Sequence, residues 1–240
     1  MTPFAPSLTL VIPSFNEAEN LRALLAATLA HVREKCEHCV VLLIDDGSTD
    51  DTPEVLSSLA SEVQNRFRVI RHPTNLGLTQ ALRTGFFSAE SELVTWIPAD
   101  GQIPLSALDK MLSGYRGEDL LLTTYRHRPD GMVRAIMSKT VRFLVRSATG
   151  FADRLEGPYL FRRALLSELE LVCTKSAGSI GLEIASKTRA LGKTIGSVEI
   201  ECLPRVFGKS KVADLRNIVT YLGEIWRIRA SQQDLLARRK

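Results

Sequence analysis

The chain has 240 residues, and its 45% hydrophobic and 24% charged residues are ordinary for a globular protein with one large α/β domain. The net charge of +4 suits phosphate ligands or an anionic membrane surface, and it does not by itself argue for a nucleic-acid partner. No stretch approaches the roughly 18 uninterrupted apolar residues of a membrane-spanning helix, and the first residues do not resemble a signal peptide. We therefore expect a cytoplasmic protein without disulfides that can also associate peripherally with a membrane surface.

Apolar runs alternate with segments of helical periodicity along the first half of the chain. The runs predict strands at 8–13, 39–44, 67–71, 93–97 and 120–125. The segments between them predict helices over 18–34, 52–65 and 78–89. This βαβ alternation predicts a mostly parallel sheet.

The pattern is looser in the second half. It predicts helices over 132–149, 164–172 and 180–191, a strand over 194–201, a basic loop over 203–211 and a terminal helix over 214–238. The terminal helix combines apolar positions at helical spacing with several arginines. That combination leaves three alternatives open: contact with an anionic bilayer, packing on the domain, or packing on a second subunit as a homodimer.

Oxygen-rich side chains follow three of the predicted strands. Ser14-Phe15-Asn16-Glu17 follows the first strand, Asp45-Asp46-Gly47-Ser48 ends the second, and Pro98-Ala99-Asp100-Gly101-Gln102 follows the fourth. In an open α/β sheet, ligands bind at the carboxyl ends of the strands. The sequence therefore predicts a site for a charged small molecule, together with a cation, at that edge.

Seven short motifs, in order, resemble glycosyltransferase family 2 with the GT-A fold, in particular its dolichol-phosphate mannosyltransferase-like, polyprenyl-phosphate branch. They are Val11–Glu17 with Asn20-Leu21, Ile44–Asp50, Asn75-Leu76-Gly77, Ala99–Gln102, Tyr125-Arg126, Leu182-Glu183 and Arg205–Lys211. The resemblance implies a GT-A-like, Rossmann-like α/β fold in which a mostly parallel central sheet is flanked by helices. The implied domain covers 1–211, with a nucleotide-binding part at about 7–125 and an acceptor part at about 126–211, followed by an amphipathic basic helix over 212–240.

The same resemblance implies an inverting transfer of a sugar from a nucleotide-diphosphate sugar to an acceptor, in the first place a polyprenyl phosphate. It implies nucleotide contacts from Pro13, Phe15, Glu17, Leu43, Asp45 and Ala99. It implies Mg²⁺ or Mn²⁺ held by Asp100 and Gln102, and phosphate contacts from Arg126, Arg134, Arg205 and Lys211. The catalytic residues would be Asp100, Arg126, Arg205 and Lys211.

These residue types suit that chemistry. A carboxylate such as Asp45 accepts hydrogen bonds from the N–H and O–H groups of a nucleoside. Arginine pairs bidentately with phosphate oxygens, and Mg²⁺ prefers oxygen ligands while keeping several waters. Asp46, Ser48, Asp50 and Asp51 have a structural alternative, which is to cap the turn and the next helix; we favour it for Asp50 and Asp51.

Two departures from the family pattern keep other functions open. Pro98 stands where similar proteins carry the first aspartate of an Asp-x-Asp motif, which favours a degenerate homologue that binds a nucleotide-sugar without turnover. Asp153 and Gly157 fit the acceptor-side pattern, but the arginine expected near Tyr159 is missing, which favours a soluble transferase with a small-molecule or glycan acceptor. A hydroxyl acceptor would need a base, for which Asp153 and Glu156 are the candidates.

The run Cys36-Glu37-His38-Cys39, with His31 nearby, suggests a zinc or redox site. A structural zinc ion needs four ligands, and no second Cys or His pair exists in the chain. We therefore interpret Cys39 as the first residue of a buried strand.

Overall fold

The computed structural model describes residues 6–36, 38–62, 66–126, 142–176, 178–203 and 215–239. The strands within these ranges are β1 (Leu8–Ser14), β2 (Cys39–Asp45), β3 (Phe67–Arg71), β4 (Leu93–Trp96), β5 (Leu120–Tyr125), β6 (Leu160–Arg162) and β7 (Ile195–Ile200). The helices are α1 (Ala18–Lys35), α2 (Thr52–Glu62), α3 (Leu78–Ser88), α4 (Leu105–Gly114), α5 (142–149), α6 (Leu165–Leu169), α7 (Ser179–Ala190) and α8 (Leu215–Ala237).

The strands form one sheet in the order β3-β2-β1-β4-β6-β5-β7. Every neighbouring pair is parallel except the two that involve β6, which runs antiparallel to both β4 and β5. The six strands other than β6 therefore end at the same edge, which we call the carboxyl edge. The chain segment just before β6 also lies at this edge because β6 runs in the opposite direction.

Two apolar cores cover the two faces of the sheet. Since successive strand residues point to opposite faces, Leu42 and Ile44 of β2 enter one core and Val41 and Leu43 enter the other. Helices α3, α5, α6, α7 and α8 contribute to the first core, and α1, α2 and α4 contribute to the second. The result is a three-layer α/β/α arrangement.

Helix α3 lies unusually close to the centre of the sheet. A Cβ atom placed on Gly85 would come within 2.3 Å of Val11 Cγ1. Only glycine permits this approach, which packs the second half of α3 closely against β1 and β2.

The predicted fold class is confirmed: the sheet is mostly parallel and flanked by helices, and a C-terminal helix is present. Strand β6 was not predicted, and α6 is shorter than the predicted helix over 164–172. Helix α6 ends at Leu169 because Glu170 adopts a left-handed backbone (φ 45°), after which the amides of Val172 and Cys173 donate to Glu183 instead of continuing the helix. The predicted helical residues 63–65 and 132–141 lie outside the described residues.

Among the described residues, no helix is both long enough and apolar enough to cross a bilayer.

Candidate functional site

The carboxyl edge brings together most of the residues that the sequence singled out. Strands β2 and β4 both flank β1, so Asp45 at the end of β2 and the segment after β4 are about two strand spacings, or about 10 Å, apart. This edge carries Pro13, Phe15, Glu17, Leu43, Asp45, Ala99, Asp100, Gln102 and Arg126. Arg134, Arg205 and Lys211 lie outside the described residues.

Asp45 is a buried carboxylate at the floor of a cleft. Its Oδ1 accepts a hydrogen bond from the Ser48 amide (2.9 Å), and its Oδ2 lies 3.2 Å from Arg71 Nε. That contact is a charge attraction without hydrogen-bond geometry, since Oδ2 has no hydrogen-bond partner. The adjacent cleft measures about 180 Å³ and is lined by Asp45, Pro53, Leu56, Ser57, Val69 and Arg71.

Arg71 is a site residue that the sequence analysis missed. It ends β3 opposite Asp45 in the strand register, and it covers the carboxylate while its own side chain stays 53% exposed. Its Nη2 donates to the Ser48 carbonyl (3.1 Å). The signal that could have found it is its position, because it follows a predicted parallel strand at the same edge as Asp45.

Asp46, by contrast, is occupied by the protein itself. Its Oδ2 accepts a hydrogen bond from the Gly77 amide (2.7 Å), and its Oδ1 accepts one from the Leu76 amide (3.0 Å). The buried His72 connects Asp46 to α3: its Nδ1 is 2.7 Å from Asp46 Oδ1, and its Nε2 is 2.9 Å from Thr84 Oγ1. Asp46 therefore fastens the loop before α3 to the end of β2.

The loop fastened by Asp46 lies directly against the turn after β2. Gly47 has a positive φ of 72°, and a Cβ atom there would come within 2.5 Å of the Thr74 carbonyl carbon. Glycine is thus required at this position for both conformation and space.

The junctions after β1 and β2 hold each other in place. Asn16, in the left-handed region (φ 56°), accepts the Thr49 amide at its Oδ1 (2.8 Å). Asp50 accepts the amides of Ala18 (3.2 Å) and Thr52 (3.0 Å). It caps α2, as the structural alternative predicted, and it also caps α1, which was not predicted. Partial burial would raise the pKa of Asp50, but the hydrogen bonds from Thr52 and Ala18 outweigh it and lower that pKa below its usual value.

The segment after β4 is linked to the end of β7. Asp100 is half-buried, and its Oδ1 accepts the Gln102 amide (3.1 Å). The Gln102 carbonyl in turn accepts the Leu203 amide (2.8 Å). These contacts fix the Asp100 side chain on the backbone of Gln102 and tie that backbone to the residues after β7, while Ala99 is buried in the core.

Few of the described side chains at the carboxyl edge could serve as metal ligands. Among the described residues, no three or more His, Cys, Asp or Glu side chains converge as an ion cage would require. One carboxylate with one amide oxygen still suits Mg²⁺ or Mn²⁺ if the remaining ligands are phosphate oxygens and waters. Asp100 and Gln102 are compatible with that open kind of site.

Arg126 follows β5 at the same edge. Its amide donates to the Ile200 carbonyl (3.0 Å), which fixes its backbone between β5 and β7. The side chain is 66% exposed, and its Nε lies 3.7 Å from Glu199 Oε1. A surface ion pair of this kind contributes little, so the guanidinium can turn to a ligand.

Both candidate bases at the acceptor side are already engaged. Asp153 forms an ion pair with Arg189, and Glu156 Oε2 accepts the Tyr125 amide (2.9 Å). The two carboxylates thus hold the segment before β6 against α7 and β5.

Glu183 belongs to one of the sequence motifs but is remote from solvent. Its carboxylate accepts the amides of Val172 and Cys173 (both 2.8 Å) and the ammonium of the equally buried Lys187 (2.7 Å). Burial raises the pKa of the Cys173 thiol, and the negative charge of the nearby Glu183 carboxylate raises it further. Glu183 therefore organises the loop between α6 and α7.

The pair Cys36 and Cys39 lies at the opposite edge of the sheet. Cys39 is the first residue of β2, as predicted, and both thiols are buried. A hydrogen bond with Cys39 lowers the pKa of Cys36 to about 7. His31 is paired with Asp109 (2.9 Å).

The fold is an α/β domain with polar residues gathered at the carboxyl edge of its sheet, and comparison with solved structures supports this fold. The chain is similar to glucosyl-3-phosphoglycerate synthase of Mycobacterium tuberculosis crystallised with Mn²⁺ and UDP-glucose, with a TM-score of 0.68 at 18% identity over 95% of this chain and 79% of that chain. A crystal of the same enzyme with Mn²⁺, UDP and phosphoglyceric acid gives a TM-score of 0.67 at 19% identity over 92% of this chain and 78% of that chain. At this identity the likeness shows the fold alone, which is GT-A.

The family follows from the sequence comparisons. The chain belongs to glycosyl transferase family 2, whose model matches residues 9–173. It is 31% identical over 215 residues to the undecaprenyl-phosphate 4-deoxy-4-formamido-L-arabinose transferase of Pectobacterium carotovorum subsp. carotovorum (strain PC1). It is 30% identical over 217 residues to the protein of that name from Photorhabdus laumondii subsp. laumondii. Each match covers 88% of this chain and 64% of the relative, so the chain spans slightly less than two thirds of the length of these relatives.

Proposed function

We propose that the chain transfers a sugar, with inversion, from a nucleotide-diphosphate sugar to a polyprenyl phosphate. The observation that carries this proposal is the buried Asp45 beneath a cleft at the carboxyl edge of a family 2 fold. The relatives named for undecaprenyl phosphate support the acceptor, and the neighbour crystallised with UDP-glucose supports the class of donor.

The nucleoside end of the donor binds over Asp45. Its Oδ2 lacks a hydrogen-bond partner and can accept an N–H or O–H group once the Arg71 guanidinium moves aside. Arg71 is half exposed, and its planar group can then stack on the base. Pro13, Phe15 and Glu17 surround this end, while the buried side chain of Leu43 fixes the strand that carries Asp45.

The diphosphate end lies toward the segment after β4. A divalent cation there would neutralise charge on the leaving diphosphate, and Asp100 and Gln102 would hold it. The single carboxylate, with Pro98 at the position of a second one, makes this a site in which phosphate and water supply most of the ligands.

Basic side chains stabilise the charge that develops on the leaving group. Arg126 is exposed at the edge, with only a loose contact to Glu199. Arg134, Arg205 and Lys211 complete the set, because guanidinium and ammonium groups pair with phosphate oxygens and act most strongly where charge appears in the transition state.

A phosphate acceptor requires no base because its oxygen is already anionic at neutral pH. The engagement of Asp153 with Arg189 and of Glu156 with the Tyr125 amide therefore favours a phosphate over a hydroxyl acceptor. A hydroxyl would need one of these carboxylates to be released for proton transfer.

The test is an assay with a panel of nucleotide-diphosphate sugars and Mn²⁺, with undecaprenyl phosphate or hydroxyl-bearing glycans as acceptors and mass spectrometry of the products. We expect a lipid-linked sugar phosphate, and we expect Asp153→Asn and Glu156→Gln to retain most of the turnover. A product formed only on glycans, and abolished by either substitution, would contradict the proposal in favour of a soluble transferase.

The same assay distinguishes a degenerate homologue, which Pro98 favours. In that case the chain binds a nucleotide-sugar, as seen by calorimetry, but forms no product on any acceptor. That result would reject the transferase proposal while leaving the donor site intact.

A further inference from the structure

The carboxyl half of β5 has unlike neighbours on its two sides. On one side, β5 pairs with β7 over its whole length, from Leu120 to Tyr125. On the other side, among the described residues, β6 reaches only Leu120 and Leu121. The end of β5, which leads into Arg126, needs another partner on that side because partly buried backbone amides require acceptors.

The segment just before β6 takes the place of the missing strand. The Glu156 amide donates to the Thr123 carbonyl (3.3 Å), and Glu156 Oε2 accepts the Tyr125 amide (2.9 Å). Thr123 Oγ1 also donates to the Pro158 carbonyl (2.5 Å). Thr123 and Tyr125 face the same neighbour because the ladder groups of alternate residues point to the same side of a strand. The Glu156 carboxylate thus does what the carbonyl of a neighbouring strand would do at the last residue of β5.

The glycine at position 157 permits this close packing. A Cβ atom placed on Gly157 would lie 2.6 Å from Thr123 Oγ1 and 3.0 Å from Tyr125 Cε1. A larger residue would push the segment off β5 and carry Glu156 away from the Tyr125 amide. Two neighbouring positions of the sequence therefore support the same contact.

The backbone that carries Arg126 is held on both sides of β5. The Arg126 amide donates to the Ile200 carbonyl on the β7 side (3.0 Å), and the preceding amide is held by Glu156 on the other side. The Arg126 side chain is 66% exposed, and its contact with Glu199 is loose at 3.7 Å, so this contact contributes little to its position. The direction in which the guanidinium leaves the sheet depends instead on the backbone at 125–126.

We propose that Glu156 is a positioning residue that fixes the backbone of Arg126 for contact with the phosphates of the ligand. This inference rests on the proposed function, in which Arg126 binds the donor diphosphate. A carboxylate holds a backbone amide more strongly than a neutral acceptor does. Glu156 acts through this hydrogen bond and transfers no proton, so an uncharged acceptor at the same place is sufficient.

The experiment compares Glu156→Ala with Glu156→Gln in the full chain. Hydrogen exchange with mass spectrometry follows the amides of residues 123–126, and calorimetry measures the affinity for UDP with Mn²⁺ and for uridine. In Glu156→Ala we expect these amides to exchange about tenfold faster. We expect UDP to bind about fivefold more weakly, the effect of one hydrogen bond, and uridine to bind as it does to the wild type because it has no phosphates. Glu156→Gln should match the wild type, because its side-chain oxygen accepts the same amide.

The matched control is Glu118→Ala, at the opposite end of β5. Glu118 is half-buried like Glu156, and its Oε2 accepts the Arg116 amide (2.7 Å). The substitution removes the same kind of contact far from Arg126 and should leave the affinity for UDP unchanged. Gly157→Ala is a second variant, which displaces Glu156 without removing its carboxylate and should reproduce the effects of Glu156→Ala. Thermal unfolding verifies that all variants fold.

Three results would overturn the proposal. The first is a Glu156→Ala variant that binds UDP as tightly as the wild type, and the second is an equal loss of affinity for UDP and for uridine. The third is a Glu156→Gln variant that loses as much as Glu156→Ala, which would assign the effect to the charge of Glu156 or to proton transfer. Failure of the sugar transfer is a separate result: a wild-type chain that shows the expected binding pattern but forms no lipid-linked sugar contradicts the transfer and supports the positioning role.

Discussion

Asp45 and Asp46 are adjacent in the chain but have different surroundings. Asp46 uses both oxygens on protein donors, from Leu76, Gly77 and His72, whereas Asp45 keeps Oδ2 without a hydrogen-bond partner under Arg71. Asp45 is the last residue of β2 and lines the cleft. Asp46 belongs to the turn that follows, and its side chain points the other way because successive residues alternate in direction. One is available to a ligand, and the other holds the loop before α3.

This difference predicts separate effects of two matched substitutions. Asp46→Asn replaces one acceptor oxygen by a donor facing backbone amides, so the free energy of unfolding should fall by about 1–3 kcal/mol. Asp45→Asn should change stability less but weaken binding of a nucleoside diphosphate. Urea denaturation and calorimetry measure the two effects, and an Asp45→Asn variant that binds like the wild type would contradict the nucleoside role.

Single residues were partly predictable from the sequence. The position of Asp45 at the carboxyl edge followed from the strand pattern, and Asp50 was correctly interpreted as a cap. The partners of Asp46 lie 26 to 31 positions further along the chain, a distance at which no local pattern applies. Glu183 lies in one of the motifs that carry the family resemblance, and it is wholly buried.

Among the elements, the long strands were predictable and the short antiparallel one was not. Strands β1 to β5 were predicted to within one residue at each end. β1, β2, β4 and β5 are mostly buried apolar runs, whereas β3 is largely exposed. Strand β6 has only three residues, Leu160–Arg162, which is too short for a periodic signal. Its pairing with both β4 and β5 depends on tertiary contacts.

Helix α7 carries a buried ion pair that joins three elements. Lys187 Nζ donates to Glu183 on its own helix (2.7 Å), to the Leu169 and Glu170 carbonyls at the end of α6 (2.8 and 2.9 Å), and to Ser231 on α8 (2.8 Å). All of its donors are thus satisfied within the protein. A buried charge with this many partners is costly to disturb.

We predict that Lys187→Met lowers the free energy of unfolding by about 3–5 kcal/mol, because Glu183 is left charged and buried without its cation. Arg189→Met is the control on the same helix, since Arg189 is half exposed, and it should change stability by no more than about 0.5 kcal/mol. Chemical denaturation of both variants compares them. Equal effects would mean that the buried pair contributes no more than a surface pair.

At the scale of the whole molecule, the sheet has two unlike edges. The carboxyl edge carries Asp45, Asp100 and Arg126, and the amino edge carries the buried thiols of Cys36 and Cys39 and the exposed ion pair of Arg68 with Glu90 (2.8 Å). The length of the strands separates these edges, and the two apolar cores cover the faces of the sheet between them. Ligand binding at one edge should therefore stabilise the molecule without involving the other.

We predict that a nucleoside diphosphate with Mn²⁺ raises the melting temperature by about 5–10 °C at one hundred times its dissociation constant, which corresponds to about 2.7 kcal/mol. Removal of the metal with EDTA should reverse most of this rise. Asp100→Ala should lose the metal-dependent part, and Glu90→Ala, at the amino edge, should keep it. Differential scanning fluorimetry measures all four conditions, and an unaltered shift in Asp100→Ala would refute its metal role.

The reversed direction of β6 also bears on how such a protein diversifies. Residues 153–157 lie at the carboxyl edge because β6 runs in the opposite direction. In the proposed function they form the acceptor side, which is then encoded apart from β1 to β4, where the proposed donor site lies. Mutation can therefore remodel one specificity while selection preserves the other, and descendants of one ancestor can keep a common donor while serving different acceptors.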